Sequence, residues 1–243
     1  MPNRASSGAL IAFKPKLTDN PALVCVPWAG AGAAPFRAWA SVFGTAATVY
    51  GVRLPGRESR IEEPFLEDVD SLVKSIVAEV ESLGDRPIVL FGHCSGALLA
   101  YEAARTLGPR VTRLVVASQL PPAEAARTAA DELGSRESLA ERYLGEDVAD
   151  DSEMRELALE ILEADIRAVS GYQFAPGRLR IPITVFHGMN DREIRSADLA
   201  GWTAESTILS EIREVANADH MFSGAAWANL AELIAVELGL VTV

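Results

Sequence analysis

Short apolar segments alternate along this chain with longer segments of helical periodicity. Most of the short runs are bounded by Gly or Pro, and they predict strands at residues 22–26, 47–52, 87–91, 113–118, 181–188 and 208–215. A helical spacing of apolar positions is found in residues 65–84, 95–108 and 225–239. Because strand and helix follow each other in turn, the pattern predicts an α/β fold with a mostly parallel central sheet flanked by helices.

The composition is typical of one globular domain. The chain has 243 residues, of which 49% are hydrophobic, so residues 1–243 are predicted to form a single domain with a full core. No apolar stretch is long enough for a membrane span, and the first 20 residues lack the apolar run of a signal peptide. Two cysteines without a pairing motif favour a cytoplasmic location, and the net charge of −12 argues against nucleic acid as a partner.

One block interrupts the alternation. Residues of about 120–176 contain helical patterns but no convincing strand. Because this block enters after a central strand, at the edge of the sheet where a ligand would bind, we expect a helical lid insertion. The alternative is a helical subdomain with only a packing role. The acidic segment 145–153 within it is predicted to be a solvated loop.

The segment 87–108 has the outline of a nucleophile elbow. A strand runs into G-x-C-x-G at residues 92–96, and a helix follows, so that Cys94 occupies the sharp turn between them. The helix N-terminus favours an anion at this sulfur, which suits a nucleophile. The alternatives are a buried cysteine that only packs, or the hydroxyl of Ser95 as nucleophile. The backbone N–H of Ser95 follows the nucleophile and is the first candidate for an oxyanion hole.

The nucleophile needs a base and the base needs an orienting acid. Of three histidines, His220 lies in the loop before the last helix, where an elbow hydrolase supplies its base. Asp191, just past the preceding strand, is the predicted acid, and Asp219 is the competing one. His93 is expected to pack or to form a hydrogen bond, and His187 to be structural.

The loop after the first predicted strand is rich in small residues, which let backbone approach a ligand closely. Ala29 is the predicted second oxyanion donor, with Trp28 as the alternative and as a candidate substrate-binding residue. The alternative for the whole loop is a plain Gly-rich turn. The sequence has no phosphate-cradle motif and no cluster with metal-ligand spacing, so we expect neither a cofactor nor a metal.

These segments resemble the type II thioesterases, stand-alone α/β-hydrolases that accompany polyketide and nonribosomal peptide synthetases. Residues 24–40 are similar to that family's P-x-A-G-G segment, 50–64 to its P-G-R-E segment, and 90–105 to its G-H-S-x-G-A elbow. Residues 183–194 and 215–223 are similar to its acid and histidine segments. The resemblance implies Cys94, Asp191 and His220 as the triad. It also implies an oxyanion hole from Ala29 and Ser95, and a lid over an acyl chain.

The resemblance also implies the substrate and the partners. Members of this family remove acyl groups from the phosphopantetheine arms of acyl or peptidyl carrier proteins, so the substrate itself carries the phosphopantetheine. We expect a monomer that contacts a carrier protein transiently, away from membranes. Arg53, Arg57 and Arg60 could offer a basic patch or contact the pantetheine phosphate, which makes Arg57 a candidate substrate-binding residue. A set of fold-stabilising ion pairs is the alternative.

Cys94 departs from the serine of that family. A cysteine converts one thioester into another, an exchange near balance, so the acyl group could pass to a second carrier thiol as readily as to water. Some relatives with cysteine at the elbow shuttle aminoacyl groups between carrier domains. Because most members of the family that this chain resembles are hydrolases, hydrolysis is the favoured prediction. Acyl or aminoacyl transfer, which the thiol favours, is the alternative. A cysteine hydrolase of another family, a non-catalytic carrier-binding module, and a cysteine that replaces a native serine as an acyl trap also remain open.

Overall fold

The computed structural model describes residues 8–13, 20–128, 138 and 152–240. Within these residues a single sheet is built from the following strands: β1 Leu10–Ala12, β2 Ala22–Val26, β3 Thr48–Val52, β4 Ile88–His93, β5 Val111–Ala117, β6 Ile183–Gly188 and β7 Ser210–Val215. Their spatial order is β1-β3-β2-β4-β5-β6-β7. Only β1 runs antiparallel to its neighbour, and the remaining pairs are parallel.

The predicted strands are all present, with ends that differ from the prediction by at most two residues. The central ones are apolar on both faces because helices cover both sides of the sheet. The strand β1 was not predicted from the sequence. It has three residues, all of them half-buried, and it pairs at the edge of the sheet with β3, so it lacks the long apolar run of a central strand.

Helices lie on both faces of the sheet. The α-helices of the described residues are α1 Trp39–Phe43, α2 Val69–Glu81, α3 Ser95–Leu107, α4 Pro122–Thr128, α5 Ser152–Ser170 and α6 Ala225–Glu237. Short 3₁₀-helices cover Ala34–Ala38, Glu58–Arg60, Gly108–Arg110 and Ser196–Ala204. Apolar side chains of α2 and α3 form one core with the sheet, and those of α1 and α6 form a second core on the opposite face. The expected α/β layering is thus observed.

The predicted insertion lies between β5 and β6 and contributes α4 and α5. The described part of residues 120–176 contains no strand, as expected. Residues 129–137 and 139–151 lie outside the described residues, and with them most of the acidic segment 145–153. Its last two residues begin α5 rather than a loop. Among the helices that the structure describes, none combines the length and the apolar character of a membrane span.

Candidate active site

Cys94 occupies a strained turn between β4 and α3. Its backbone has φ +51° and ψ −128°, a conformation that residues other than glycine rarely adopt. The two glycines of the motif are required by close packing. A Cβ on Gly92 would lie 2.4 Å from the carbonyl oxygen of Gly96, and a Cβ on Gly96 would lie 2.2 Å from that of Pro27. The sequence therefore builds an elbow that presents the Cys94 side chain at the carboxyl edge of the sheet.

His220 and Asp191 meet at the same edge. His220 lies in the loop between β7 and α6, and its Nδ1 donates a hydrogen bond to Oδ2 of Asp191 over 2.9 Å. Asp191 follows β6, and its Oδ1 accepts the backbone N–H groups of Glu193 and Ile194 at 2.8 and 3.1 Å. The competing acid, Asp219, instead accepts the backbone N–H of Ser223 over 2.9 Å. The pairing is the one that the sequence predicted.

The electrostatics of this pair favour a proton on the imidazole. Burial disfavours a charge on His220, but the hydrogen bond with Asp191 and the interaction with Cys94 outweigh it and raise the pKa of His220 to about 10. Burial also opposes ionisation of Asp191, whose side chain is fully shielded from solvent. The hydrogen bond from His220 prevails there as well, and it holds the pKa of Asp191 below its usual value. The ring can therefore accept and hold a proton at neutral pH.

The second ring nitrogen of His220, Nε2, is available to a reacting group. Nε2 is buried and has no hydrogen-bond partner within ordinary distance among the described residues. Cys94 interacts with the same ring, since it contributes to the raised pKa of His220. The carboxylate of Glu193 is also near, with Oε2 3.6 Å from Nε2. Contacts between nucleophile and base are often loose before a substrate binds, so this arrangement can pass a proton between Cys94 and His220.

Two side chains hold the backbone of His220, one at the end of β4 and one just after the end of β5. The hydroxyl of Ser118 and Nε2 of His93 both donate to the carbonyl oxygen of His220, over 2.6 and 2.9 Å. Burial, with a smaller contribution from the nearby His220, lowers the pKa of His93 to about 3, so His93 is neutral. His187 donates through Nε2 to the carbonyl of Ile194 over 2.9 Å, away from the reacting groups.

The hydrogen-bonding role expected for His93 is therefore observed, while Ser118 was missed. The only signal for Ser118 was its place at the end of a predicted strand, because its partner is 102 residues away.

The loop after β2, residues 27–34, is called here the oxyanion loop. Its Ala29 is buried and packs against three apolar residues of α5, namely Leu159, Leu162 and Ile166. Among the described residues the backbone N–H groups of Ala29 and Ser95 have no hydrogen-bond acceptor. Trp28 is half-buried and packs edge-on against His93 and Trp227, at centroid distances of 5.1 and 5.5 Å. Neither predicted donor N–H is therefore used within the described part of the chain, and Trp28 belongs to the same loop as Ala29.

Of the two possibilities considered for Arg53, Arg57 and Arg60, a basic patch or a set of ion pairs, the structure favours ion pairs for Arg57 and Arg60. The Arg57 side chain is 3% exposed, and both its terminal nitrogens contact the carboxylate of Asp165 over 2.6 Å. Arg60 is also buried and pairs with Glu63. Arg57 therefore matches the ion-pair alternative, and its guanidinium is not available to a substrate phosphate. The sequence could not show this, because Asp165 lies 108 residues away in an insertion with many acidic residues.

An open cavity of about 790 Å³ lies over the His220–Asp191 pair. Its walls come from the two loops that follow β6 and β7, with Met189–Glu193 on one side and Asp219–Met221 on the other. Within the residues that the structure describes, no three His, Cys, Asp or Glu side chains converge as a metal site would require.

Comparison with known proteins identifies the family. Residues 21–236 match the family described as "Thioesterase domain". The AMB antimetabolite synthetase AmbE of Pseudomonas aeruginosa is 34% identical over 192 residues, which are 74% of this chain but 9% of that protein. The gramicidin S biosynthesis protein GrsT of Aneurinibacillus migulanus is 31% identical over 194 residues, 76% of each chain.

Solved structures give the same picture. The RedJ thioesterase from the prodiginine pathway of Streptomyces coelicolor superposes with a TM-score of 0.81 at 28% identity, over 90% of this chain and 93% of that one. The type II thioesterase BorB from the borrelidin cluster gives a TM-score of 0.82 at 28% identity, over 97% and 100%. The parallel sheet and its elbow are therefore those of an α/β-hydrolase fold, and the chain belongs to the thioesterase family.

Proposed function

We propose that this protein hydrolyses acyl thioesters carried on the phosphopantetheine arm of a carrier protein, through a covalent acyl-Cys94 intermediate. The observation that carries the proposal is the hydrogen-bonded His220–Asp191 pair. Its buried Nε2 has no hydrogen-bond partner among the described residues, and its ring interacts with Cys94. Family membership and the names of the relatives support the substrate class, since GrsT and RedJ belong to natural-product pathways. The partner is then a carrier protein of a polyketide or nonribosomal peptide synthetase.

In the first half-reaction Cys94 transfers its thiol proton to Nε2 of His220 and attacks the thioester carbonyl. The carbonyl oxygen becomes an oxyanion, which accepts the N–H groups of Ala29 and Ser95. The tetrahedral intermediate collapses, the bond to the pantetheine sulfur breaks, and this sulfur takes the proton from His220. The products are acyl-Cys94 and the free pantetheine thiol.

In the second half-reaction water gives a proton to His220 and attacks the acyl carbon. Collapse of the second tetrahedral intermediate breaks the bond to Cys94, and His220 returns the proton to its sulfur. Asp191 keeps the imidazole oriented and stabilises its charge in both halves. In this scheme α5, the described helix of the predicted lid that packs on Ala29, covers the acyl chain.

A second candidate is acyl or aminoacyl transfer between two carriers, and the observation that favours it is Cys94 itself. A thioester at Cys94 has about the same energy as the thioester of the substrate. A second pantetheine thiol can therefore accept the acyl group as easily as Cys94 received it. Water and thiol compete for the same intermediate, so the two activities differ in which acceptor reaches it.

The test mixes the protein with an acyl-loaded carrier and an equal amount of unloaded holo carrier of different mass, followed by intact-protein mass spectrometry. Hydrolysis predicts that both carriers end unloaded while free acid accumulates. If the second carrier becomes loaded faster than free acid appears, the protein is a transferase and the hydrolytic assignment is wrong. The matched control is Cys94→Ser, whose oxyester intermediate makes passage back to a thiol unfavourable. An acyl-enzyme that persists with no acid released would contradict hydrolysis as well.

A further inference from the structure

The P-G-R-E segment, residues 55–58, takes no part in the scheme above, yet it contacts the oxyanion loop directly. We infer that Arg57 and Glu58, together with Asp165 of α5, hold the oxyanion loop in the shape that polarises the thioester. Arg57 and Asp165 are thus positioning residues for the reaction. This inference rests on the proposed function, which places the N–H of Ala29 in the oxyanion hole.

The first contacts come from the P-G-R-E segment. Arg57 donates through one terminal nitrogen to the carbonyl oxygen of Ala31 over 3.0 Å. The next residue, Glu58, accepts the backbone N–H groups of Ala33 and Ala34 at 3.0 and 3.2 Å. Glu58 adopts φ +50°, a conformation that costs energy for a residue with a side chain. The segment thus fixes three successive peptide groups in the second half of the oxyanion loop, from the carbonyl of Ala31 to the N–H of Ala34.

Asp165 fixes the first half of the oxyanion loop, next to Ala29. Its Oδ2 accepts the backbone N–H of Gly30 over 2.8 Å and the guanidinium of Arg57 over 2.6 Å. The N–H of Gly30 belongs to the peptide group that follows Ala29, so its orientation limits how the N–H of Ala29 can point. Gly30 has φ +81°, and a Cβ there would lie 3.2 Å from a side-chain carbon of Leu162. Little space is left in which this peptide could turn.

Burial makes the Arg57–Asp165 pair more than a surface contact. The two side chains are 3% and 8% exposed, so water does not compete for their hydrogen bonds. Asp165 lies on the helix whose apolar residues pack on Ala29, so one helix provides both the carboxylate and the apolar contact. The position of α5 is therefore linked to the orientation of the Ala29 N–H. If α5 moves, the N–H of Gly30 and the guanidinium of Arg57 both lose the carboxylate of Asp165 as acceptor.

The test separates nucleophile reactivity from oxyanion stabilisation. Alkylation of Cys94 by iodoacetamide needs no oxyanion hole, whereas acylation by propionyl-N-acetylcysteamine, a pantetheine-like thioester, does. We expect Asp165→Asn to slow single-turnover acylation by about tenfold or more, below the 10²- to 10³-fold loss of a donor removed outright. Alkylation should stay within about twofold of the wild-type rate in the same samples. The matched control is Glu237→Gln, which removes a carboxylate from the Arg113–Glu237 pair on the other side of the sheet.

Arg57→Lys is the second variant, in case Asp165→Asn does not fold. It keeps the positive charge but loses the bidentate contact with Asp165. We expect slower acylation and an unchanged rate of alkylation in this variant too. Acylation at the wild-type rate in a folded variant would overturn the inference. A parallel loss of acylation and alkylation would also overturn it, because that result indicates a general disturbance of the elbow. If the wild-type protein itself is alkylated but never acylated, the proposed function fails rather than this inference.

Discussion

Two buried charged pairs border the candidate site, and they differ in what they leave unsatisfied. In the His220–Asp191 pair, one nitrogen of the ring is bound and the other, Nε2, is buried without a hydrogen-bond partner. In the Arg57–Asp165 pair, both carboxylate oxygens and both terminal guanidinium nitrogens are engaged. The nitrogen left there without a partner among the described residues, the buried Nε of Arg57, belongs to a guanidinium, which does not give up its proton in a protein. The first pair can therefore exchange a proton with a reacting group, while the second can only hold structure in place. The following predictions test this difference and the surroundings of the His220–Asp191 pair, from the largest expected effect to the smallest.

Cys94→Ala should have the largest effect. Removing the nucleophile is expected to lower kcat/KM for carrier thioesters by at least about 10⁴-fold, with little change in thermal stability because Cys94 is only half-buried. Cys25 is the internal control, since burial raises the pKa of its thiol. Iodoacetamide should therefore modify one cysteine in the wild-type protein and none in Cys94→Ala. Labelling of Cys25 at a similar rate would remove the basis for assigning reactivity to Cys94.

Asp191→Asn should come next. It keeps the shape of the side chain but removes the charge that raises the pKa of His220, so we expect kcat to fall by about 10² to 10⁴. The pH dependence of Cys94 alkylation should shift with it. Asp219→Asn is the matched control, because it removes an equal charge from the wall of the same cavity. Equal losses in the two variants would mean that net charge, rather than the His220–Asp191 hydrogen bond, is responsible.

The Arg57–Asp165 pair should contribute to the free energy of unfolding. Asp165→Leu or Arg57→Met alone leaves a buried charge unpaired and is expected to cost about 3–5 kcal/mol. The double variant Arg57→Met/Asp165→Leu should cost clearly less than the two single changes together. Urea unfolding of the four proteins measures this, and Glu237→Gln, in a more exposed pair, should cost about 1 kcal/mol or less. Additive single costs would show that the two charges are not coupled.

The smallest effect concerns His93 and pH. The pKa of His93 is about 3 in the folded protein and near 6.5 in the unfolded chain. Between these two pH values the unfolded chain binds a proton at His93 and the folded protein does not. The stability contributed by neutral His93 is complete above pH 6.5 and declines as pH falls toward 3, by up to about 1.4 kcal/mol per pH unit.

His220 has the opposite sign: its contribution is complete below 6.5 and is lost as pH rises through about 10. Urea unfolding at pH 7 and pH 5 should show a smaller acid loss in His93→Gln than in the wild-type protein. An equal loss in both proteins would contradict the buried neutral state of His93.

The same comparison shows what the sequence could reveal. The elbow, the strands around it and the Asp191–His220 pairing follow from local motifs and from the order of the elements, so they could be predicted. The role of Arg57 could not, because a sequence displays a charge without displaying its burial. Its partner Asp165 comes from a helix 108 residues away. Ser118 was missed for the same reason, since its contact with His220 depends on the order of the strands.

The central claim is that Cys94 carries the acyl group. The direct measurement is intact-protein mass spectrometry of the enzyme during a single turnover with an acyl-loaded carrier, followed by peptide mapping of residues 89–105. We expect a transient mass gain equal to the acyl group, located at Cys94, that decays as free acid appears, and no gain in Cys94→Ala. Release of acid by Cys94→Ala at a rate near that of the wild-type protein would contradict the claim, as would an acyl group mapped to Ser95.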